Sequence, residues 1–237
     1  STSLASTTRY ADAAAAGDQV ALARHVTDGL RLVMFLCVPA MVGLIVDAEA
    51  VIRLIYQHGR FAPRDTTATA TALDLYVIGL PAYAAVKVMV PVCYATDRTR
   101  LAVIAAVVAV AGNLAANAAL HLRFGYRALA LGTALAAIVN AGILYAAIHR
   151  AIVRLPGREL ADHLARVTVA ALGMGACAWA TERGLDRALG HDGLAVRAVD
   201  ALAPVVVGAG AYAILAAALG IAEVRPLIDR LRRRRAG

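Results

Sequence analysis

Three stretches of this chain, residues 101–120, 128–148 and 201–222, contain no aspartate, glutamate, lysine or arginine. Each has about the 20 residues that a helix needs to cross a hydrocarbon core. Three more stretches are apolar but less clean: 30–46, running on toward Tyr56; 75–94, interrupted by Lys87; and 167–181. Apolar residues make up 61% of the chain and mean hydropathy is +0.68, which excludes an ordinary soluble domain. In lipid every backbone amide must find its hydrogen bond within the protein, so only helices or a closed barrel can span. The long uninterrupted runs lack the alternation of a barrel strand. The expectation is an all-α polytopic membrane helix bundle of about six transmembrane helices.

Without a hydrophobic drive between helices in lipid, association rests on close packing of small residues, and glycines and alanines are plentiful in the spans. Pro39, Pro81 and Pro91 fall inside apolar stretches, where kinks or breaks are expected. The charge pattern gives an orientation. With both ends cytoplasmic, the inner segments hold Arg9, Arg24, Arg31, Arg98, Arg100, Arg150, Arg154, Arg158, Arg166, Arg225, Arg230 and Arg232 to Arg235. The outer segments hold only Arg53, Arg60, Arg64, Arg123, Arg127, Arg183, Arg187 and Arg197. The positive-inside rule favours that arrangement, and a pI near 9.9 then requires no nucleic acid. The basic tail reads as a topogenic signal that also suits anionic membrane lipids.

Four regions are expected: a cytoplasmic loop or amphipathic segment at 1–29, four transmembrane helices at 30–150, two additional ones at 151–223, and a basic cytoplasmic tail at 224–237. The opening Ser1-Thr2-Ser3, without a methionine or a signal peptide, reads as a cut into a longer polypeptide. Cys37, Cys93 and Cys177 are scattered through apolar stretches as packing residues. The six histidines lack metal-ligand spacing, and neither a glycine-rich phosphate loop nor a nucleophile elbow occurs, so an enzyme is not expected. Glu49 and Arg53 are spaced to pair on one helix face, and Asp65 or Thr66 to cap the helix after an external turn shaped by Gly59 and Phe61.

A family resemblance lies in the order of several short patterns. Pro39-Ala-Met-Val-Gly43-Leu44 is followed by Tyr56-Gln-His-Gly59-Arg-Phe61, Asp65, Gly79-Leu-Pro81, Lys87, Pro91 and Tyr94-Ala95. Then come Asn117, Ala130-Leu131-Gly132-Thr133 and Asn140-Ala-Gly-Ile-Leu144-Tyr145. Over about 115 residues this series resembles the second half of the MurJ/MviN family of lipid II flippases, within the multidrug, oligosaccharidyl-lipid and polysaccharide exporter superfamily. The resemblance implies the last four helices of the second lobe plus the final pair of a fourteen-helix transporter. The implied substrate is lipid II or a related polyprenyl-diphosphate glycolipid, and the implied location is the bacterial inner membrane. It also implies a missing N-terminal half of the same protein as partner. Where the family has an aspartate and a Thr-Pro after the second span, this chain has Arg98 and Leu101-Ala102, a departure that points to a divergent subfamily. Two alternatives stand beside the flippase: an exporter of another polyprenyl-linked glycan, and a non-transporting membrane scaffold for cell-wall assembly.

Two sites are expected. Lys87 is the only lysine and lies well inside an apolar stretch, where a charge is costly unless it meets a cavity, an anion or a carboxylate on another helix. By the resemblance, its anion is the lipid diphosphate. Asn113 and Asn117 share a face at i and i+4, as do Leu129 and Thr133 on the next span. At about 1.5 Å per residue from the intervening turn, Asn117 and Thr133 reach similar depths. The resemblance implies a sodium ion held by Asn113, Asn117, the Leu129 carbonyl and Thr133, although Asn117 stands where an acidic residue is expected. The other role open to these residues is amide and hydroxyl bonding between helices. No other cofactor is expected.

Overall fold

The computed structural model describes residues 2–56, 63–189 and 194–224. Those residues form α1 (Thr2–Ala15), α2 (Gln19–Tyr56), α3 (Pro63–Val77), α4 (Leu80–Ala95), α5 (Thr99–Phe124), α6 (Tyr126–Ala151), α7 (Gly157–Leu189) and α8 (Leu194–Ala218), then a 3-10 turn at Ala222–Val224. No strand occurs among the described residues. Six segments are long and apolar enough to span, namely Gln19–Tyr56, Arg64–Ala95, Thr99–Ala119, Tyr126–Ala151, Gly157–Leu185 and Val199–Ala218. The all-α expectation holds. Gly59, Phe61 and the basic tail lie outside the described residues.

Local chemistry sets the turns. Gly17 takes a φ of 66° after α1, and the Asp18 carboxylate accepts the Ala21 backbone N–H at 2.9 Å, capping α2. Gly125, at φ 55°, alone joins α5 to α6. After α4 the left-handed residue is Asp97 (φ 54°), and the Arg98 N–H closes the turn on the Cys93 carbonyl at 2.8 Å. Pro81 does not kink a span: it sits in the first turn of α4, where its missing N–H costs nothing, and the apolar run is broken before it at residues 78–79. Pro39, Pro91 and Pro204 lie inside helices. Asp65 sits inside the first turn of α3, because that helix begins at Pro63.

The chain divides into two compact units. The first takes the residues up to Cys37 and Ile78–Asp162; the second takes Val38–Val77 and the residues from His163 onward. In the first, Leu22, Val26 and Leu30 of α2 pack with Met89, Val92 and Cys93 of α4 and Leu144 and Ile148 of α6. Tyr10 of α1 is buried with them; burial pushes its phenol up, opposed by Arg9 and reinforced by Asp28. On α5 the buried residues are Ala102, Ala105 and Ala109, whereas Val110 is 68% and Leu114 72% exposed. Small side chains inward and large apolar ones outward is the arrangement of a helix whose solvent is lipid.

In the second unit α7 carries the small residues. Gly173 receives Leu215 of α8, Gly175 faces Val42 and Val46 of α2, and Gly208 of α8 lies against Met174 and Ala178. Ala48 and Ile52 of α2 pack with Ala70 of α3. Glu49 and Arg53 form their expected pair at 3.4 Å, exposed enough that it contributes only a few tenths of a kcal/mol.

Candidate functional site

Lys87 lies in the middle of α4, and its side chain is exposed although the helix around it is apolar. Its neighbours Ala85 and Met89 are buried, and Val88 approaches Gly29 of α2 so closely that a methyl there would sit 2.9 Å from Val88 Cγ1. The helix is thereby held by its buried side while the ammonium stands off the packed core. Cys37 of α2 is close enough to feel that charge electrostatically. Among the described residues no ion pair engages Lys87, so the carboxylate considered from sequence is not supplied by them.

The four residues of the polar cluster sit on α5 and α6. Asn117 Nδ2 donates to Asn113 Oδ1 at 2.8 Å, and the Thr133 hydroxyl donates to the Leu129 carbonyl at 2.7 Å. Gly132, in the Ala130-Leu131-Gly132-Thr133 pattern, seats the pair: a Cβ there would collide with Asn117 Oδ1 and lie 3.0 Å from Asn113 Oδ1. The two amide oxygens therefore converge on bare backbone of the facing helix. Tyr83 of α4 adds its hydroxyl, donating to the Thr133 carbonyl at 3.4 Å. Asn117 Oδ1 is buried without a hydrogen-bond donor, and it is the one oxygen of the pair that a cation would find unengaged. The Leu-Gly-Thr spacing of 131–133 carried the signal for Gly132, since a small residue one position before Thr133 is what a close helix approach requires.

Sequence reading missed a set of buried acids in the second unit. Asp47 and Asp200 are buried, and Asp74 has a buried carboxylate oxygen. Asp47 and Asp200 abut the ends of apolar stretches and so read as interfacial residues, although their helices bury them. A cavity of about 340 Å³ in this unit is lined by Glu49, Thr67, Thr71, Asp74, Trp179, Glu182 and Arg183, with Arg183 stacked 4.4 Å over the Trp179 ring. No group of histidine, cysteine or acidic side chains among the described residues has the geometry to hold a metal ion. His149 Nδ1 instead accepts the Leu155 N–H at 3.1 Å, and His163 is buried 3.9 Å from Glu223.

Six apolar segments among the described residues, with small residues at the contacts and charged groups within the spans, define a multi-pass helical membrane protein. A family model described as lipid II flippase MurJ matches residues 2–189. The chain is similar to the probable lipid II flippase MurJ of Vibrio cholerae, 32% identical over 157 residues, which cover 65% of this chain and 30% of that one. It is also similar to the lipid II flippase MurJ of Thermosipho africanus, 34% identical over 121 residues, covering 51% and 25%. Among solved structures, lipid II flippase MurJ in an inward closed conformation superposes with a TM-score of 0.73 at 24% identity, covering 94% of this chain and 43% of that one. The chain belongs to the lipid II flippase MurJ family. It spans between 25% and 30% of the length of those two relatives.

Proposed function

We propose that this chain is the C-terminal part of a transporter, not an enzyme, that moves the headgroup of lipid II across the bacterial inner membrane by alternating access. Family membership over residues 2–189 carries this reading. The position of Lys87 supports a role in it: a fixed positive charge inside an apolar helix, turned away from the packed core, suits a diphosphate that must leave water to cross. Both termini are assigned to the cytoplasm, on the arginine asymmetry and the six candidate spans among the described residues. In the complete polypeptide, Lys87→Met should lower flipping by about tenfold or more, the loss of one charge-assisted contact. Lys87→Arg should retain most of it. Near-normal transport by both variants at matched membrane abundance would remove Lys87 from the mechanism.

The Asn113, Asn117, Leu129 and Thr133 cluster is assigned to the packing of α5 on α6, through the two asparagine oxygens that meet Gly132. Its amide and hydroxyl bonds run within each helix rather than between helices as the sequence suggested, and the pair lacks a formal charge. Sodium is the second reading, favoured by the donor-free Asn117 Oδ1. Equal melting temperatures in sodium and in choline at one ionic strength are expected, and a sodium-specific rise would move the assignment to the ion site.

A further inference from the structure

Inside the first unit, three helices end around one cavity. Ala15, Ala95 and Ala151, the last residues of α1, α4 and α6, line a space of about 510 Å³ together with Asp18, Asp97 and Arg98. That volume suits an organic group rather than a bare ion. Two candidate spans, Arg64–Ala95 and Tyr126–Ala151, stop here, and Gln19–Tyr56 starts here. The cavity therefore lies where apolar helices leave the hydrocarbon, at the level of lipid headgroups.

Its wall is rich in acceptors. A helix leaves its last carbonyls without an intrahelical partner, and its C-terminal end carries about half a negative elementary charge. The turn after α4 bonds the Val92, Cys93 and Tyr94 carbonyls, and that after α6 bonds the Ile148 carbonyl. None of these bonds reaches Ala95 or Ala151, and those after α1 do not reach Ala15. Asp18 uses Oδ1 to cap α2 and keeps its second oxygen. Asp97 is exposed and enters no ion pair among the described residues.

Against those carboxylates and helix ends the wall has a single guanidinium, that of Arg98, which is likewise outside any ion pair among the described residues. The neighbouring Arg24, Arg100, Arg150 and Arg154 are exposed and lie outside the wall. A simple anion would be repelled by the acceptors, and the described acids lack metal-holding geometry. What fits is a positively charged group with several N–H donors, followed by a phosphate for Arg98.

We propose that this cavity binds the phosphoethanolamine headgroup of a membrane lipid. Its ammonium meets Asp18, Asp97 and the carbonyl ends of α1, α4 and α6, and its phosphate meets Arg98. A choline headgroup carries the same charge but no N–H donor, and a glycerol headgroup carries no positive charge. The cavity thus selects for N–H donors, whereas an arginine-rich surface selects for negative charge. The inference does not depend on what the transporter carries.

The test takes the complete polypeptide in mild detergent. It is mixed with phosphatidylethanolamine, phosphatidylcholine or phosphatidylglycerol of identical acyl chains, and bound lipid is counted by native mass spectrometry. The ethanolamine lipid should bind about tenfold more tightly than either of the others, the effect of charge-assisted hydrogen bonds. Asp18→Asn and Asp97→Asn should each cut that preference several-fold. Asparagine caps a helix as well as aspartate does and tolerates the left-handed turn, so both variants keep the fold. Arg98→Gln should weaken binding of the ethanolamine lipid too. If an aspartate variant is unstable, the wild-type preference alone still decides. Equal binding of the three lipids overturns the proposal, as does tighter binding of the glycerol lipid or a preference that both aspartate variants leave intact. Displacement of the lipid by an equimolar oligolysine peptide also overturns it, and would assign the cavity to a basic protein partner.

Discussion

Gly132 shows how one missing side chain can set a helix contact. Because the amide oxygens of Asn113 and Asn117 occupy the space a methyl would need, Gly132→Ala must push back either the asparagines or α5 itself. Overpacking of this kind costs about 1–3 kcal/mol. A lower melting temperature for Gly132→Ala is expected, with partial recovery in Gly132→Ala/Asn117→Ala, where the obstructing amide is gone. Purely additive effects of the two substitutions would contradict the contact. The asparagines themselves were legible in the sequence, because i and i+4 spacing fixes a shared face. What they rest against was not legible, since the register between α5 and α6 is set by the single-residue turn at Gly125 and by the packing of alanines.

At the scale of elements, apolar runs located the helices but not their breaks. The stretch around residue 78 reads as one continuous span, yet α3 ends at Val77 and α4 starts at Leu80 with Pro81 in its first turn. Gly79 at that break touches α6 backbone: a Cβ would lie 2.8 Å from Ala134 Cα. Backbone cannot swing aside as a side chain can, so Gly79→Ala should destabilise the α4–α6 contact by about 2 kcal/mol or more. Its melting temperature in detergent checks this, and a neutral result would show that the helices separate freely there. Likewise, the region before residue 30 contains α1 and the first turns of α2, because Asp18 caps the long helix well ahead of its apolar core. Charge and polarity hid that start.

For the whole molecule, the span count was readable because membrane insertion imposes length and apolarity on every crossing, and the family from the order of short patterns between Pro39 and Tyr145. The buried acids were not, because a carboxylate at the end of an apolar run looks the same in sequence whether it meets water or another helix. Orientation is testable directly. In a cysteine-free variant, single cysteines at the positions of Arg64 and Arg127 should react with impermeant reagent from outside, and those at Arg98 and Arg154 only from the cytoplasm. The reverse pattern would invert the topology.

The small stripe of α5 also has a bearing on mutational tolerance. In a water-soluble protein, substitutions are borne by the surface and refused by large core side chains. Here Val110 and Leu114 are exposed on an apolar helix and constrain shape little, whereas Ala105 is fully buried, so that enlargement there presses on its packed neighbours. A saturation scan of this helix should therefore show free exchange among bulky residues along one side, and rejection of even modest enlargement along the other. Sequence drift would accumulate on the lipid-facing side and leave a narrow track of alanine and glycine.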